Sequence, residues 1–346
     1  MSNPFILTFG VEPNKLISRE KDINSMVENF TAEKPSTSVY LITGVRGSGK
    51  TVTMTALLDK LKKNNSFITI TLNPTTNLLE GLAANLYEHP ELKAAFIKAD
   101  IKLSAVLDIS IKAEGPAPNV EVQLKKMLSI VKKLNKRVLI AIDEVTNDNN
   151  FRVFTSAYQM FLIEKLPVYL VMTGLYKNIN ALQNEENLTF LYRAPKYQLE
   201  PLGIMQMAHY FEDTLGVTEE EAKTMAIFTK GYSYAFQVLG YLKYENKEKK
   251  LEAIVRQFDE YMEEYSYEKI WSELSNRERE IVSLLAHSES GKMKVKEIKE
   301  QTGLTDQSFP TYKKRLAGSG VILVNTYGYC ELALPRFKEI VINWLY

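Results

Sequence analysis

Two short stretches of the chain carry residues whose types and spacing can do chemistry. The first is Gly44-Val45-Arg46-Gly47-Ser48-Gly49-Lys50-Thr51, which satisfies G-x-x-x-x-G-K-[ST] in full. Glycines let backbone N–H groups turn inward around a phosphate, and a following helix N-terminus adds partial positive charge. In such a loop Lys50 reaches the β- and γ-phosphates of a triphosphate, and the Thr51 hydroxyl holds Mg²⁺. The second stretch, Arg137-Val138-Leu139-Ile140-Ala141-Ile142-Asp143-Glu144, is an apolar run closed by an acidic pair. Asp143 is suited to hold Mg²⁺, directly or through water, and Glu144 to polarise the water that attacks a γ-phosphate. Each stretch alone has a plainer reading, as a glycine-rich turn or a buried strand ending in acid. Together they predict triphosphate binding and hydrolysis.

The elements that must position these residues are legible around them. Val39-Tyr40-Leu41-Ile42-Thr43 reads as a strand, and Val52, Met54, Leu57, Leu58 and Leu61 recur with helical spacing after the loop. The loop and Val52, at the start of that helix, are the expected nucleotide-binding residues. The run before Asp143 reads as a strand buried on both faces of a parallel sheet, with its last side chains at the carboxyl edge. Ser66–Leu72 reads as a further strand and Val168–Met172 as another, ending in Thr173-Gly174. Helices are expected at 20–30, 78–87, 122–134 and 151–166, and an extended, hairpin-like insertion at 101–111 that breaks at Gly115-Pro116. The predicted fold class is α/β.

From Gly203 the texture changes. Helices at 205–215, 218–228 and 233–243 follow one another without strands, and a charged helix at 248–264 leads to a last module. Ser275 and Glu278 form a capping-box pattern that opens a helix. Helices are expected at 295–301 and 306–317, then a hairpin in which Val321–Val324 and Tyr329–Leu334 flank Asn325-Thr326-Tyr327-Gly328. Three helices and a hairpin describe a winged helix-turn-helix. The expected domains are 1–202, a P-loop core; 203–270, a helical lid with a bridging helix; and 271–346, the winged helix.

Composition narrows the function classes. The 346 residues are 45% hydrophobic and 25% charged, with a formal net charge of +1, so no global field demands nucleic acid or membrane. The single cysteine, Cys330, fits a reducing compartment, and the three histidines show no metal-ligand spacing. No apolar run approaches the ~20 residues of a spanning helix, and the N-terminus lacks the pattern of a signal peptide. A cytoplasmic protein without membrane partners is expected.

With both phosphate motifs, a helical lid and a terminal winged helix in that order, the chain resembles the initiator-type AAA+ and STAND-like ATPases of prokaryotes, relatives of origin-recognition proteins. Asn3-Pro4-Phe5, Phe9-Gly10 and Ile17-Ser18-Arg19-Glu20 resemble the segment that precedes the P-loop there; Ser18 replaces the usual glycine. The resemblance implies ATP as the nucleotide, with Arg19 near its adenine side, since no guanine-specificity motif is present. It also implies Thr173 as the polar residue that reads the γ-phosphate, and Arg193 as a finger acting in trans within a homo-oligomer. Gly231-Tyr232-Ser233-Tyr234 resembles the lid's G-x-P turn, with Ser233 for the proline and Tyr234 where initiators carry an arginine. That departure favours a slow, switch-like ATPase over a processive motor.

The partner of the last module stays open at this point. On the helix at 306–317, Phe309, Tyr312 and Leu316 should face inward, leaving Gln307, Ser308, Thr311, Lys314 and Arg315 to meet base edges and phosphates of double-stranded DNA through residues 305–315. From Ser275 onward the chain holds about three more basic than acidic residues, a mild footprint. The wing tip has no Lys or Arg. Packing on the ATPase core or binding a protein is the other reading. The expected function is an ATP-dependent switch coupled to DNA or a partner. The alternatives are a partner-gated STAND-type signalling or defence ATPase, and a DNA-binding regulator whose nucleotide is structural.

Overall fold

A computed structural model describes residues 2–8, 17, 19–101, 120–185 and 188–345. Apart from Ile101, the extended insertion expected at 101–111 and its break at Gly115-Pro116 lie outside the described residues, as do Phe9, Gly10 and Ser18. The chain divides into two compact units. One comprises Met1–Lys21, Gly44–Val52 and Gln198–Tyr346, the other Asp22–Thr43 and Thr53–Tyr197.

The second unit is built on a sheet. Strands β1 (Val39–Thr43), β2 (Phe67–Leu72), β3 (Arg137–Ile142), β4 (Val168–Gly174) and β5 (Lys196–Gln198) lie in the order β2-β3-β4-β1-β5. The first four pair in parallel, with Ile140 opposite Ile70 on one side and Leu170 on the other. Val138 to Ile142 are fully buried, which is why this strand is apolar without alternation. Helices cover the sheet: α1 (Glu20–Thr31), α2 (Lys50–Lys62), α3 (Leu78–Glu88), α4 (Pro90–Lys98), α5 (Val120–Lys133), α6 (Asn149–Ile163), α7 (Tyr176–Gln183) and α8 (Thr189–Tyr192). Asn77 caps α3 and Asp148 caps α6, the latter accepting from the Phe151 amide at 2.9 Å. Helices α4, α7 and α8 go beyond the pattern reading; α4 begins at Pro90, whose fixed φ suits a first turn.

The first unit is helical with a small second sheet. It contains α9 (Ile204–Leu215), α10 (Glu219–Phe228), α11 (Ser233–Glu245) and α12 (Leu251–Met262). The single charged helix expected at 248–264 is different in detail. It starts at Leu251, after a turn in which the Lys249 amide donates to the Asn246 carbonyl, and it widens into a π turn at Glu263–Tyr267 before α13 (Glu268–Glu273). That wider turn brings Ser266 and Tyr267 into the interior. Phe5, from the N-terminal segment, packs among Tyr210, Phe211 and Phe236.

The C-terminal part holds α14 (Asn276–His287), β6 (Lys292–Lys294), α15 (Val295–Thr302), α16 (Phe309–Gly318), β7 (Ile322–Leu323), β8 (Tyr329–Leu332) and α17 (Phe337–Leu345). The Ser275–Glu278 capping box is formed in both directions. Helix α16 begins three residues later than expected, because the Thr305 and Ser308 side chains each accept from the other's amide and hold a turn there. Strand β8 lies between β6 and β7 in an antiparallel sheet, so the expected hairpin has a third strand. This part is tied to the rest of its unit by Arg336, which forks onto Asp259 at 3.0 and 2.7 Å, and by the Tyr267 hydroxyl, which donates to the Pro335 carbonyl at 2.6 Å.

Candidate nucleotide site

The glycine loop leaves β1 and enters α2 with Gly47 at φ 76° and Gly49 at φ 90°, the left-handed region that glycine adopts without strain. Gly47 is also required by space, since a Cβ there would meet the Tyr232 hydroxyl at 2.5 Å and the Tyr234 Cβ at 2.9 Å. Lys50 is buried, and its Nζ donates to the carbonyls of Gly44 and Val45 at 3.1 Å each. Lysine thus lies along the loop, where a triphosphate would offer stronger, charged acceptors. Thr51 and Val52 are half-buried in the first turn of α2.

Three consecutive carbonyls of this loop are held by the turn that opens α11. The Tyr232 hydroxyl donates to the Arg46 carbonyl. The Tyr234 amide donates to the Gly47 carbonyl at 3.1 Å, and the Ser233 hydroxyl to the Ser48 carbonyl at 3.1 Å. Arg19 is buried; its guanidinium bridges the Glu200 carbonyl at 2.7 Å and the Ser48 carbonyl at 3.5 Å. Arg46 extends toward Glu273, 3.7 Å away. In a planar trans peptide the N–H points opposite to the C=O. Holding carbonyls 46 to 48 on the side of α11 therefore directs the amides of Gly47, Ser48 and Gly49 to the other side; that of Ser48 donates to Val45 within the loop, at 3.1 Å.

The acidic pair belongs to the other unit, where the ends of β3 and β4 organise it. Asp143 follows the last residue of β3, and Thr173 is fully buried at the end of β4. The Thr173 hydroxyl donates to the Asp143 carboxylate and accepts from the Glu144 amide at 3.2 Å. That amide also reaches Asp143 Oδ1 at 3.1 Å, and the Val145 amide donates to the Thr173 carbonyl at 2.9 Å. Glu144 has φ 54° and an exposed side chain. Asp100, Asn135, Lys165 and Lys230 also have positive φ, but they follow helix ends, where left-handed closure is usual. Glu144 takes it two residues past β3, and Arg336 takes it just before α17; at Glu144 the cost is about 1–3 kcal/mol, offset by the hydrogen bonds of Thr173 and Asp143. Arg193 is exposed where α8 ends. On α16, Phe309 and Leu316 are buried and Tyr312 half-buried, while Thr311, Lys314 and Arg315 are exposed; in the turn before it Gln307 is exposed and Ser308 half-buried.

Among the described residues no group of three His, Cys, Asp or Glu could hold a metal ion. No helix among the described residues is long and apolar enough to cross a membrane.

Residues 16–194 match the family model described as an ATPase domain predominantly from Archaea. The chain belongs to this family. The matched residues include both the glycine loop and the acidic turn, and the chain is an ATPase. Residues 264–341 match a second model, a domain of unknown function (DUF8462). No curated protein matches. Among solved structures, the chain is similar to the Walker-type ATPase PABY2304 of Pyrococcus abyssi (14% identity, TM-score 0.66, covering 98% of this chain and 99% of that one). It is also similar to the ORC2 protein of Aeropyrum pernix, solved in ADPNP and ADP complexes (14% identity, TM-score 0.61, covering 97% and 96%). The fold of this ATPase is α/β, an origin-recognition-like P-loop ATPase fold.

Pattern reading singled out Ser233 and Tyr234 of the lid turn but not Tyr232, whose hydroxyl reaches the loop. The signal available was modest: a Gly-Tyr-Ser-Tyr run in which two tyrosines surround a polar residue.

Proposed function

We propose that this ATPase is a molecular switch in which occupancy of the glycine loop is transmitted through the lid to the C-terminal module. The carrying observation is the set of hydrogen bonds from Tyr232, Ser233 and Tyr234 to carbonyls 46, 47 and 48. A loop held this way cannot rearrange around phosphates without moving its lid contacts. In this reading residues 1–202 form the nucleotide core, 203–270 the lid and bridging helix, and 271–346 a winged helix-turn-helix.

ATP is the substrate. The amides and side chains of Gly44 to Val52 receive its phosphates, with Lys50 transferring its donors from the Gly44 and Val45 carbonyls to phosphate oxygens, and Arg19 lies near the base. The Thr51 hydroxyl and the Asp143 carboxylate would hold Mg²⁺, which would neutralise charge on the phosphate oxygens. Thr173 orients Asp143 and reads the γ-phosphate. Glu144 takes a proton from water as the water oxygen bonds to the γ-phosphorus and the bond to the β–γ bridging oxygen breaks, leaving ADP and phosphate. Arg193, exposed at the end of α8, serves as a finger toward a second copy. Turnover is slow and raised by the partner of the C-terminal module, and the protein works in the cytoplasm.

Double-stranded DNA is the partner best supported, because Thr311, Lys314 and Arg315 are exposed on α16, Gln307 is exposed in the turn before it, and Tyr327 is fully exposed at the hairpin tip. The Arg336–Asp259 fork and the Tyr267–Pro335 bond favour a second reading, in which a protein partner releases a module held against the lid. Turnover of the wild type, Lys50→Ala and Glu144→Gln with and without duplex DNA, with mass followed by light scattering, tests these assignments. Lys50→Ala should abolish ATP binding. Glu144→Gln should keep binding and lower turnover by about 10²-fold or more. Wild-type turnover in the Gln variant removes Glu144 as the base, and turnover indifferent to DNA moves the partner from DNA to protein.

A further inference from the structure

The hydroxyl of Tyr232 is out of place for a core side chain. The residue lies in the apolar core of its unit, 5% exposed, with its ring 6.4 Å from that of Tyr267. A buried phenol costs free energy unless it is hydrogen-bonded, and phenylalanine would fill the same space. Here the hydroxyl has two partners, and both are informative. It donates to the Arg46 carbonyl inside the glycine loop, and it lies 2.7 Å from Ser266 Oγ. A carbonyl can only accept and the phenol has one proton, so Ser266 must be the donor in the second bond. Burial raises the Tyr232 pKa far above neutrality, which keeps that proton on the phenol.

Ser266 occupies the π turn that follows α12, where the wider backbone places it 1% exposed and aimed inward. The result is a continuous series: Ser266 hydroxyl, Tyr232 hydroxyl, Arg46 carbonyl. Through the rigid Arg46–Gly47 peptide, the last bond sets the direction of the Gly47 amide. Gly47 permits this approach because it lacks a Cβ, which would fall 2.5 Å from the Tyr232 oxygen. Backbone amides that cradle a phosphate work only if their orientation is settled before the ligand arrives.

We propose that Tyr232 is a positioning residue for the ATPase reaction. It pre-orients the glycine loop for the phosphates of ATP, and Ser266 of the π turn holds its hydroxyl in place. The role rests on the glycine loop being the triphosphate site. It concerns binding in ground state and transition state alike, so its loss should raise KM and the dissociation constant for ATP while leaving kcat nearly unchanged.

The test compares Tyr232→Phe, Ser266→Ala, Tyr267→Phe and Lys50→Ala in the full chain. Each is measured by steady-state turnover, by titration with a fluorescent ATP analogue and by thermal melting. Tyr232→Phe should raise KM and the dissociation constant about fivefold, the size of one lost hydrogen bond, with kcat within about twofold. Ser266→Ala should move both constants in the same direction by less. Tyr267→Phe removes a neighbouring buried hydroxyl with no loop partner, and it should leave KM unchanged. An unchanged KM in a folded Tyr232→Phe variant, or an equal rise in Tyr267→Phe, overturns the positioning role. Loss of binding in Lys50→Ala alongside those results would leave the triphosphate site standing and the Tyr232 inference refuted. Full binding in Lys50→Ala would remove both.

Discussion

The two ends of the proposed chemistry are held in opposite ways. The glycine loop is fixed by partners far away in sequence: Tyr232, Ser233 and Tyr234 hold its carbonyls, and Arg19 arrives from the N-terminal side. The acidic turn is fixed by its own sheet, through Thr173 at the end of the neighbouring strand and the short connection from Asp143 to Val145. The difference teaches where regulation can act. A loop anchored by the turn before α11 would change if that turn moved, whereas a turn anchored by two parallel strands is set with the sheet. In the proposed switch, affinity is therefore the adjustable quantity, and the arrangement of Asp143 and Glu144 the more constant one.

That contrast can be broken most severely at Thr173. Replacement by Val keeps the shape but removes the hydroxyl that Asp143 accepts from and that receives the Glu144 amide. Turnover should fall about tenfold or more, and stability by about 1 kcal/mol, because a partly buried amide and a carboxylate lose a partner. ATP affinity should fall less than turnover, by a few-fold, since one proposed phosphate contact is lost while the bonds from Tyr232, Ser233 and Tyr234 to the loop stay intact. A Thr173→Val variant that binds ATP poorly yet hydrolyses normally when saturated would reverse the assignment of the two regions.

The smallest effect sharpens the comparison by showing what is structural only. Asp148 caps α6, a sheet-covering helix, and its carboxyl pKa is lowered first by the Thr146 hydroxyl and then by the Phe151 amide. A carboxyl with a depressed folded pKa stabilises above its unfolded value and loses that contribution as pH falls through the folded one. Asp148→Ala should cost about 1 kcal/mol at neutral pH, with a smaller gap from wild type at low pH. Thermal melts from neutral to acid check this. ATP turnover at saturation should not change.

Much of the architecture was legible because local pattern and burial agree. The strand before Asp143 is apolar at consecutive positions because both of its faces are covered, and the Ser275–Glu278 box announces α14 by hydrogen-bond chemistry confined to four residues. The glycine loop was visible for the same reason: its spacing is set by one compact ligand. What stayed hidden depends on distance along the chain. Nothing near Gly47 announces that Tyr232 needs the room a Cβ would fill, and nothing in Glu263–Tyr267 distinguishes a π turn from continuing α-helix. Helix α17 did carry a signal, with Phe337, Ile340 and Val341 on one buried face, but it follows the hairpin closely enough to read as its tail. The short strand β6 has only three residues and exists by pairing with β8.

The central claim is that a triphosphate in the glycine loop is felt by the lid turn. Amide hydrogen exchange with and without ATP·Mg²⁺ measures this directly, in peptides covering residues 44–52 and 231–236, for the wild type and Lys50→Ala. The account predicts that both peptides change their exchange together in the wild type and that neither changes in the Lys50 variant. Protection of the loop with no response in the lid turn would contradict it.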